Sequence, residues 1–231
     1  MTSIVDEHAV VLHTRAYRET SLLVNLLTAQ HGRIAAVAKG ARSPRRGQTV
    51  QPFAKLLVSW RGRGSLVTLT ATEPMGAEQL QGNRLAAAFY VAELLMRLLA
   101  EHEAVPRLFA ATNWVLDSLA REELPVDVVL RSFEKLLLDE LGYGVDFRRD
   151  VDSEAAIAVD GKYALVVDRG FVGTTQADGY DGFTLLAVAA EDYSEVATRR
   201  AAKRIFRELL DAQLDGRPLH SRRLLLPKAQ S

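Results

Sequence analysis

The sequence predicts an α+β chain in two parts. A small five-stranded β-barrel covers residues 1–77. A mainly α-helical region follows over 78–231, with a β-hairpin segment inserted at 145–182. Three observations carry this reading. Short apolar runs separated by turn residues fill positions 4–73. An i, i+3/i+4 apolar rhythm takes over from Asn83. The stretch 145–182 loses that rhythm and becomes acidic and rich in Gly and Asp.

The barrel strands come first. The apolar runs are Ala9–Leu12, Leu22–Leu27, Ile34–Ala38, Leu56–Trp60 and Leu66–Leu69. Turn residues at Gln30-His31-Gly32, Ser43-Pro44 and Gly62-Arg63-Gly64 separate them. Periodicity alone also allows the first two runs to be helical; their length and the turn spacing favour strands. Five short strands suit a closed barrel, which leaves no exposed sheet edge. Composition then shifts at Glu73-Pro74-Met75-Gly76.

The helices follow. Leu85, Phe89, Ala92, Leu95, Met96 and Leu99 form the apolar stripe of a first helix. A second runs from Pro106 to Ala120. A third starts near Asp127 and stops before Gly142, a glycine suited to a helix C-terminus. These three are expected to form a bundle. In the acidic segment, Tyr163–Val167 and Phe171–Thr175 read as strands joined by Asp168-Arg169-Gly170. A last helix covers about Ser194 to Leu214, ended by Asp215-Gly216-Arg217-Pro218.

Charge is distributed unevenly. The 29 Lys/Arg and 29 Asp/Glu cancel. Yet Thr20–Thr72 has no acid at all and eight cations: Arg33, Lys39, Arg42, Arg45, Arg46, Lys55, Arg61 and Arg63. Residues 1–75 and 196–231 each carry net +6, and 76–195 carry net −12. Two basic ends therefore flank an acidic middle. A polyanion is the partner such basic surfaces fit, and nucleic acid is the commonest one.

The basic run Gly40–Gly47 holds Arg42, Arg45 and Arg46 beside Gly and Ser, which let backbone N–H groups approach phosphates. Its other reading is a solvated loop. Its place between barrel strands favours the first, because loops on small barrels of this kind bind nucleic acid. Tyr17 lies between Arg15 and Arg18 and is the aromatic best placed to stack on a base; Phe53 and Trp60 read as core. In the last helix, Arg199, Arg200, Lys203, Arg204 and Arg207 fall within an arc of roughly 140°, at about 100° per residue. That arc is a second anion-binding candidate.

Catalytic patterns are absent from the sequence. His8, His13, His31, His102 and His220 are scattered without metal-ligand spacing. No P-loop, dinucleotide fingerprint or nucleophile elbow occurs. Asp150, Asp152, Glu154 and Asp160 offer carboxylates but no calcium-loop pattern. With no cysteine, disulfides, thiolate zinc and a cysteine nucleophile are excluded. The expectation is a protein without cofactor, metal or enzymatic activity. The opening residues show no leader and no apolar run reaches membrane-spanning length. A cytoplasmic, nucleoid-associated protein is expected.

Ordered pieces along nearly the whole chain resemble one known family. They are VLHTRAYRETSLLVNLLTAQHGRIAAVAKGARS (11–43), QPF (51–53), GRG (62–64), YVAELL (90–95), LRSFEKLLLDELGYGVDF (130–147) and RAAKRIFRELLDAQLDGRPLHSRRLL (200–225). Together they resemble the RecO family of bacterial recombination mediators. The resemblance implies an N-terminal OB fold and a helical C-terminal domain. It implies binding to single- and double-stranded DNA, annealing of complementary strands, and help in loading RecA recombinase. It also implies partnership with RecR and with the acidic C-terminal tail of single-stranded DNA-binding protein.

Carried over by position, Lys39, Arg42 and Arg45 belong to the basic loop region, with Arg15 and Arg33 flanking it. Arg131 matches a cation expected to receive the tail's carboxylate, with Leu108, Phe109, Leu130 and Phe133 as its apolar pocket. Arg131→Ala is expected to weaken tail binding and leave the fold intact. Many family members bind a structural zinc with four cysteines after the LGYG segment. This chain has none, so 145–182 is expected to be held by packing alone, through Tyr163, Leu165, Val167 and Phe171. Two rivals stand beside this reading: an OB-fold RNA-binding protein, and a metal-dependent nuclease using the Asp150–Asp160 carboxylates.

Overall fold

The computed structural model describes residues 3–43 and 49–225. Five strands open the chain: β1 (Ser3–Tyr17), β2 (Ser21–Thr28), β3 (Gly32–Ala38), β4 (Ala54–Arg61) and β5 (Leu66–Ala77). They close into a barrel in the order β1-β2-β3-β5-β4, the expected OB arrangement. All neighbours are antiparallel except β3 and β5.

Closure depends on β1. Its C-terminal half pairs with β2 and its N-terminal half with β4. Register shifts between Val11 and His13, and between Ile4 and Glu7, let one strand bend far enough to serve both partners. Inward side chains alternate along the strands and fill the interior: Val11, Val24, Leu26, Ile34, Ala36, Leu56, Val58 and Trp60 are all buried. The region read from the sequence as Ala9–Leu12 is thus the centre of a much longer strand.

Two compact units divide the chain. The first comprises the described residues up to Glu123 and those from Leu219 onward. Besides the barrel it holds α1 (Gly82–Leu98), α2 (Pro106–Arg121) and a 3-10 turn at His220–Arg223. Pro106 suits the first position of α2, where its missing N–H costs no hydrogen bond. Phe53 of the barrel meets Phe89 of α1 edge-on at 5.0 Å. Gly32 is required where it stands: a Cβ there would lie 1.8 Å from the Glu103 carbonyl oxygen. The Glu93 carboxylate takes the backbone N–H of His220 at 3.0 Å, that of Ser221 at 2.8 Å and the Ser221 hydroxyl at 2.6 Å.

The second unit spans 124–218. It contains α3 (Val126–Glu140), β6 (Lys162–Val166), β7 (Gly170–Gly173), β8 (Tyr180–Asp181), α4 (Gly182–Ala189) and α5 (Val196–Gln213). Here α3 packs on α5, so the helices group differently from the expected bundle of three. The hairpin β6–β7 exists, but β8 adds a third strand in the order β7-β6-β8. Phe147, Phe171, Tyr180 and Phe206 form an aromatic chain with centroids 5.2 to 6.1 Å apart.

Packing does not hold the 145–182 segment alone. Asp150 is buried, and its carboxylate accepts the N–H groups of Asp152 at 2.9 Å, Ser153 at 3.2 Å and Gly173 at 3.0 Å. Tyr163 and Phe171 are buried as expected, whereas Leu165 and Val167 are only half-buried. Among the described residues no helix is long and apolar enough to cross a membrane.

Candidate nucleic-acid interface

Strand register gathers part of the predicted basic surface at one end of the barrel. Ala16 pairs with Leu22 and Leu22 with Ala38, so the 18–20 turn lies beside the segment leaving β3. The Arg42 N–H donates to the Thr20 carbonyl at 2.9 Å and joins the two. Arg15, Arg18, Lys39 and Arg42 are all exposed there. The Arg18 guanidinium lies 5.2 Å from the centre of the Tyr17 ring. Arg42 Nη1 reaches the carbonyls of Arg18 and Glu19 at 3.4 Å, which holds its charge over the turn.

A cleft of about 60 Å³ opens beside these cations, where β3 ends and β5 continues past their parallel pairing. Lys39, Ala41, Thr49, Thr70 and Thr72 are among its lining residues. These threonines were not picked out from the sequence. The signal was present in Leu69-Thr70-Ala71-Thr72, whose alternation gives one strand face to hydroxyls. A cation beside three hydroxyls matches the chemistry of a sugar–phosphate backbone.

Other predicted residues stand apart. Arg33 lies at the opposite end of β3, six residues from Lys39 and roughly 20 Å away at about 3.3 Å per residue. Its Nε donates to the Leu99 carbonyl at 3.2 Å and its Nη1 meets Glu101 at 3.1 Å. Arg33 therefore works as a structural tie within the first unit. Arg45 and Arg46 lie outside the described residues. Phe53 and Trp60 are buried, as read from the sequence.

The basic face of α5 separates into two kinds of residue. Arg199 bonds Asp127 at 2.9 Å and the carbonyls of Tyr193 and Ser194 at 2.6 and 2.8 Å. Arg204 sits 4.2 Å from the centre of the Tyr180 ring, bonds that phenol at 2.8 Å and reaches the Asp178 carbonyl at 3.1 Å. Both hold the second unit together. Arg200, Lys203 and Arg207 are exposed, with Arg207 3.7 Å from Asp211. These three carry what is left of the anion-binding candidate.

Arg131 is not at the surface. It is 4% exposed, and its Nη2 bonds Glu134, itself 2% exposed, at 2.7 Å. Its Nε and the Tyr193 hydroxyl are buried without a hydrogen-bond partner among the described residues. Burial and the Glu191 carboxylate push the Tyr193 phenol above its ordinary value, with Arg131 opposing. Leu130 and Phe133 are buried on the same helix. Leu108, buried, and Phe109, half-buried, are on α2 in the first unit.

Three of the four carboxylates of the 150–160 loop are engaged as well, Asp160 being exposed. Asp150 binds backbone N–H groups, Asp152 pairs with Arg169, and Glu154 pairs with Arg149 at 3.3 Å. Among the described residues no group of His, Asp and Glu could hold a metal ion.

Comparison with known proteins agrees with this architecture. The family model described as Recombination protein O N terminal matches residues 1–77, and that described as Recombination protein O C terminal matches 79–223. The chain belongs to the RecO family. A DNA repair protein RecO from Methylococcus capsulatus is 44% identical over 225 residues, covering 96% of this chain and 93% of the relative. One from Cellvibrio japonicus is 44% identical over 227 residues, covering 95% of each. One from Pseudomonas putida is 43% identical, covering 97% of this chain and 98% of the relative. The family boundary at 77–79 follows the end of β5. DNA repair is thus the family's role, and the zinc-binding cysteines are missing from this member.

Proposed function

We propose that this chain is a non-catalytic recombination mediator that holds single- and double-stranded DNA and anneals complementary strands. The observation that carries the reading is the cluster of Arg15, Arg18, Lys39 and Arg42 beside the threonine-lined cleft on an OB barrel. Those cations release counterions from a DNA backbone, the cleft takes one sugar–phosphate unit, and Tyr17 offers a ring for stacking. Arg200, Lys203 and Arg207 on α5 supply a second surface for another strand. The acidic 145–195 stretch repels DNA and leaves that part of the chain to proteins.

In this reading the chain acts in the cytoplasm on nucleoid DNA, with RecR, and helps load RecA onto DNA coated by single-stranded DNA-binding protein. The tail of that protein docks at Arg131, where the Nε and the Tyr193 hydroxyl are two unused buried donors for a carboxylate. Docking there requires α3 to expose Arg131. The engagement of Asp150, Asp152 and Glu154 in other bonds argues against the nuclease reading.

A strand-annealing assay tests the proposal, using complementary oligonucleotides bare or coated by single-stranded DNA-binding protein. The chain is expected to accelerate annealing of both, and Lys39→Ala with Arg42→Ala to remove that acceleration. Annealing at the uncatalysed rate in the presence of the intact chain would overturn it. Competition between equal-length DNA and RNA oligomers separates it from the RNA-binding alternative.

A further inference from the structure

The short helix α4 is apolar all round. Gly182–Ala189 contains no charged residue, and Thr184 is its only polar side chain. A helix of that kind is expected to be covered on every side. Only one side is covered: Leu185 and Val188 are buried, and α4 packs on α5. On the outer side Phe183 is 58% exposed, and Leu186, Ala187 and Val159 add to the same apolar surface, the last at 60% exposed.

The platform is held together by backbone bonds. The Val159 carbonyl accepts the Phe183 N–H at 2.9 Å. The Gly161 carbonyl accepts the Gly182 N–H at 2.8 Å. Gly182 lies so close to the 158–161 turn that a Cβ there would stand 1.9 Å from the Ala158 carbonyl oxygen. The turn and the start of α4 therefore form one fixed platform, with Phe183 and Val159 side by side on it. Isolated exposed apolar residues are ordinary; a contiguous, preorganised pair on an uncovered apolar helix is not.

Charge decides what can cover the platform. Residues 145–195 hold eleven Asp/Glu against four Lys/Arg. Three of those cations already pair within the segment: Arg149 with Glu154, Lys162 with Asp181, and Arg169 with Asp152. Asp160, next to Val159, is exposed with no ion pair among the described residues. DNA is repelled by this surround, whereas a basic chain is attracted.

We propose that the Phe183–Val159 platform docks a basic amphipathic segment of a partner protein. One or two apolar side chains of that segment cover Phe183, and its Lys or Arg side chains face Asp160 and the neighbouring acids. This is recognition of an amphipathic helix by an apolar surface, with the charge pattern inverted relative to the DNA surfaces of the chain. It assigns a role to the segment that replaces the family's zinc-binding region, and it does not depend on which residues hold DNA.

Fluorescence anisotropy on the intact chain tests it. The probe is a fluorescein-labelled amphipathic Leu/Lys peptide of about 18 residues, long enough to form a helix. The controls are a scrambled peptide of the same composition and an amphipathic Leu/Glu peptide. Saturable binding of the Leu/Lys helix alone is expected. Phe183→Ser should weaken it by about tenfold or more, as loss of a central apolar anchor does. Asp160→Asn should weaken it less and reduce its salt dependence. Both residues are exposed, and affinity for a DNA oligonucleotide serves as the check on folding. Equal affinity of wild type and both variants, or equal binding of the scrambled peptide, would overturn the proposal. So would a concentration-dependent dimer in sedimentation that Phe183→Ser returns to monomer, since a second copy of the chain would then be the occupant.

Discussion

The Asp150 carboxylate accepts the backbone N–H of Gly173 at 3.0 Å, across 23 residues of chain. The same carboxylate organises its own turn through the N–H groups of Asp152 and Ser153. One acidic side chain thus ties the 150–155 loop to β7. Val151 adds a backbone bond to the Phe171 carbonyl at 2.8 Å, directly beside it.

The first prediction follows from the direction of the Asp150 titration. Donation from the Asp152 and Ser153 N–H groups, and then from Gly173, holds its carboxyl below the ordinary carboxylate value, against the opposing effect of burial. A group whose folded pKa is depressed stabilises the fold above its unfolded value, near about 3.9 for Asp. That contribution is lost as pH falls through the folded value. Asp150→Asn should lower Tm at neutral pH, and the gap from wild type should close below about pH 4. Hydrogen exchange at the Gly173 amide should quicken in the variant. A Tm gap that stays constant as pH is taken well below about 4 would show that Asp150 acts through packing alone.

The sequence made the barrel legible because its inward positions alternate and its turns carry Gly, Pro and Ser. It also made α2, α3 and α5 legible, since each has one apolar stripe, and α1, whose apolar rhythm belongs to a helix buried over most of its circumference. It did not reveal α4, because eight residues without charge have no amphipathic period to read. It undersized β1 because the bulges after Ile4 and Val11 interrupt the alternation. The basic surface was legible as a count of cations, but not as a set of roles. Arg33 and Lys39 look equivalent along the chain, yet the Glu101 that engages Arg33 lies 68 residues away. Arg199 and Arg204 share a helical arc with Arg200 and Lys203. Only the folded positions of Asp127 and Tyr180 show that the first two are structural.

A second prediction separates those roles on the barrel. Lys39→Ala with Arg42→Ala should weaken single-stranded DNA binding for all sequences. The slope of log affinity against log salt should become shallower by about 1.4, at about 0.7 for each phosphate that is no longer neutralised. Arg33→Ala should leave that slope unchanged and lower Tm, because it removes the bonds to Leu99 and Glu101. Anisotropy titrations at three salt concentrations, with thermal melts of the same samples, measure both. An unchanged slope in the double variant would remove this end of the barrel from the DNA site.

The same logic applies to α5. Arg200→Ala with Lys203→Ala should weaken duplex DNA binding and leave Tm near wild type, since both side chains are exposed. Arg204→Ala should do the reverse. It removes the cation over Tyr180 and the bond to that phenol, and cation–π contacts alone are worth about 0.5–2 kcal/mol. If Arg204→Ala weakened DNA binding with no change in Tm, its bonds with Tyr180 would not be its main role.

Glu93 supports a prediction about the C-terminal turn. Burial raises its carboxyl pKa, but the Ser221 hydroxyl and the Ser221 and His220 N–H groups, helped by Arg97, bring it below the ordinary value. The ionised form therefore holds the turn at neutral pH. Glu93→Gln keeps the size and loses the charge. Trypsin cleavage after Arg222 and Arg223 should accelerate on the order of tenfold, the equivalent of one charge-assisted hydrogen bond. Cleavage at the wild-type rate would show that Leu219 packing holds the turn by itself.

Arg131 requires a different experiment from the one its sequence position suggests. Removing it alone leaves the Glu134 carboxylate buried beside an empty space, and breaking a buried ion pair costs about 3–5 kcal/mol. Arg131→Ala is therefore expected to destabilise the second unit, so weaker binding of an acidic tail peptide by that variant would say nothing about docking. Replacing both partners, Arg131→Met with Glu134→Leu, should restore Tm to within a few degrees of wild type, since apolar pairs of similar volume often substitute for buried ion pairs. Calorimetry with the acidic tail peptide then isolates the guanidinium. Loss of binding in the folded double variant would support Arg131 as the receptor for the tail's carboxylate. Wild-type affinity would place the tail elsewhere and leave Arg131 as an internal partner of Glu134.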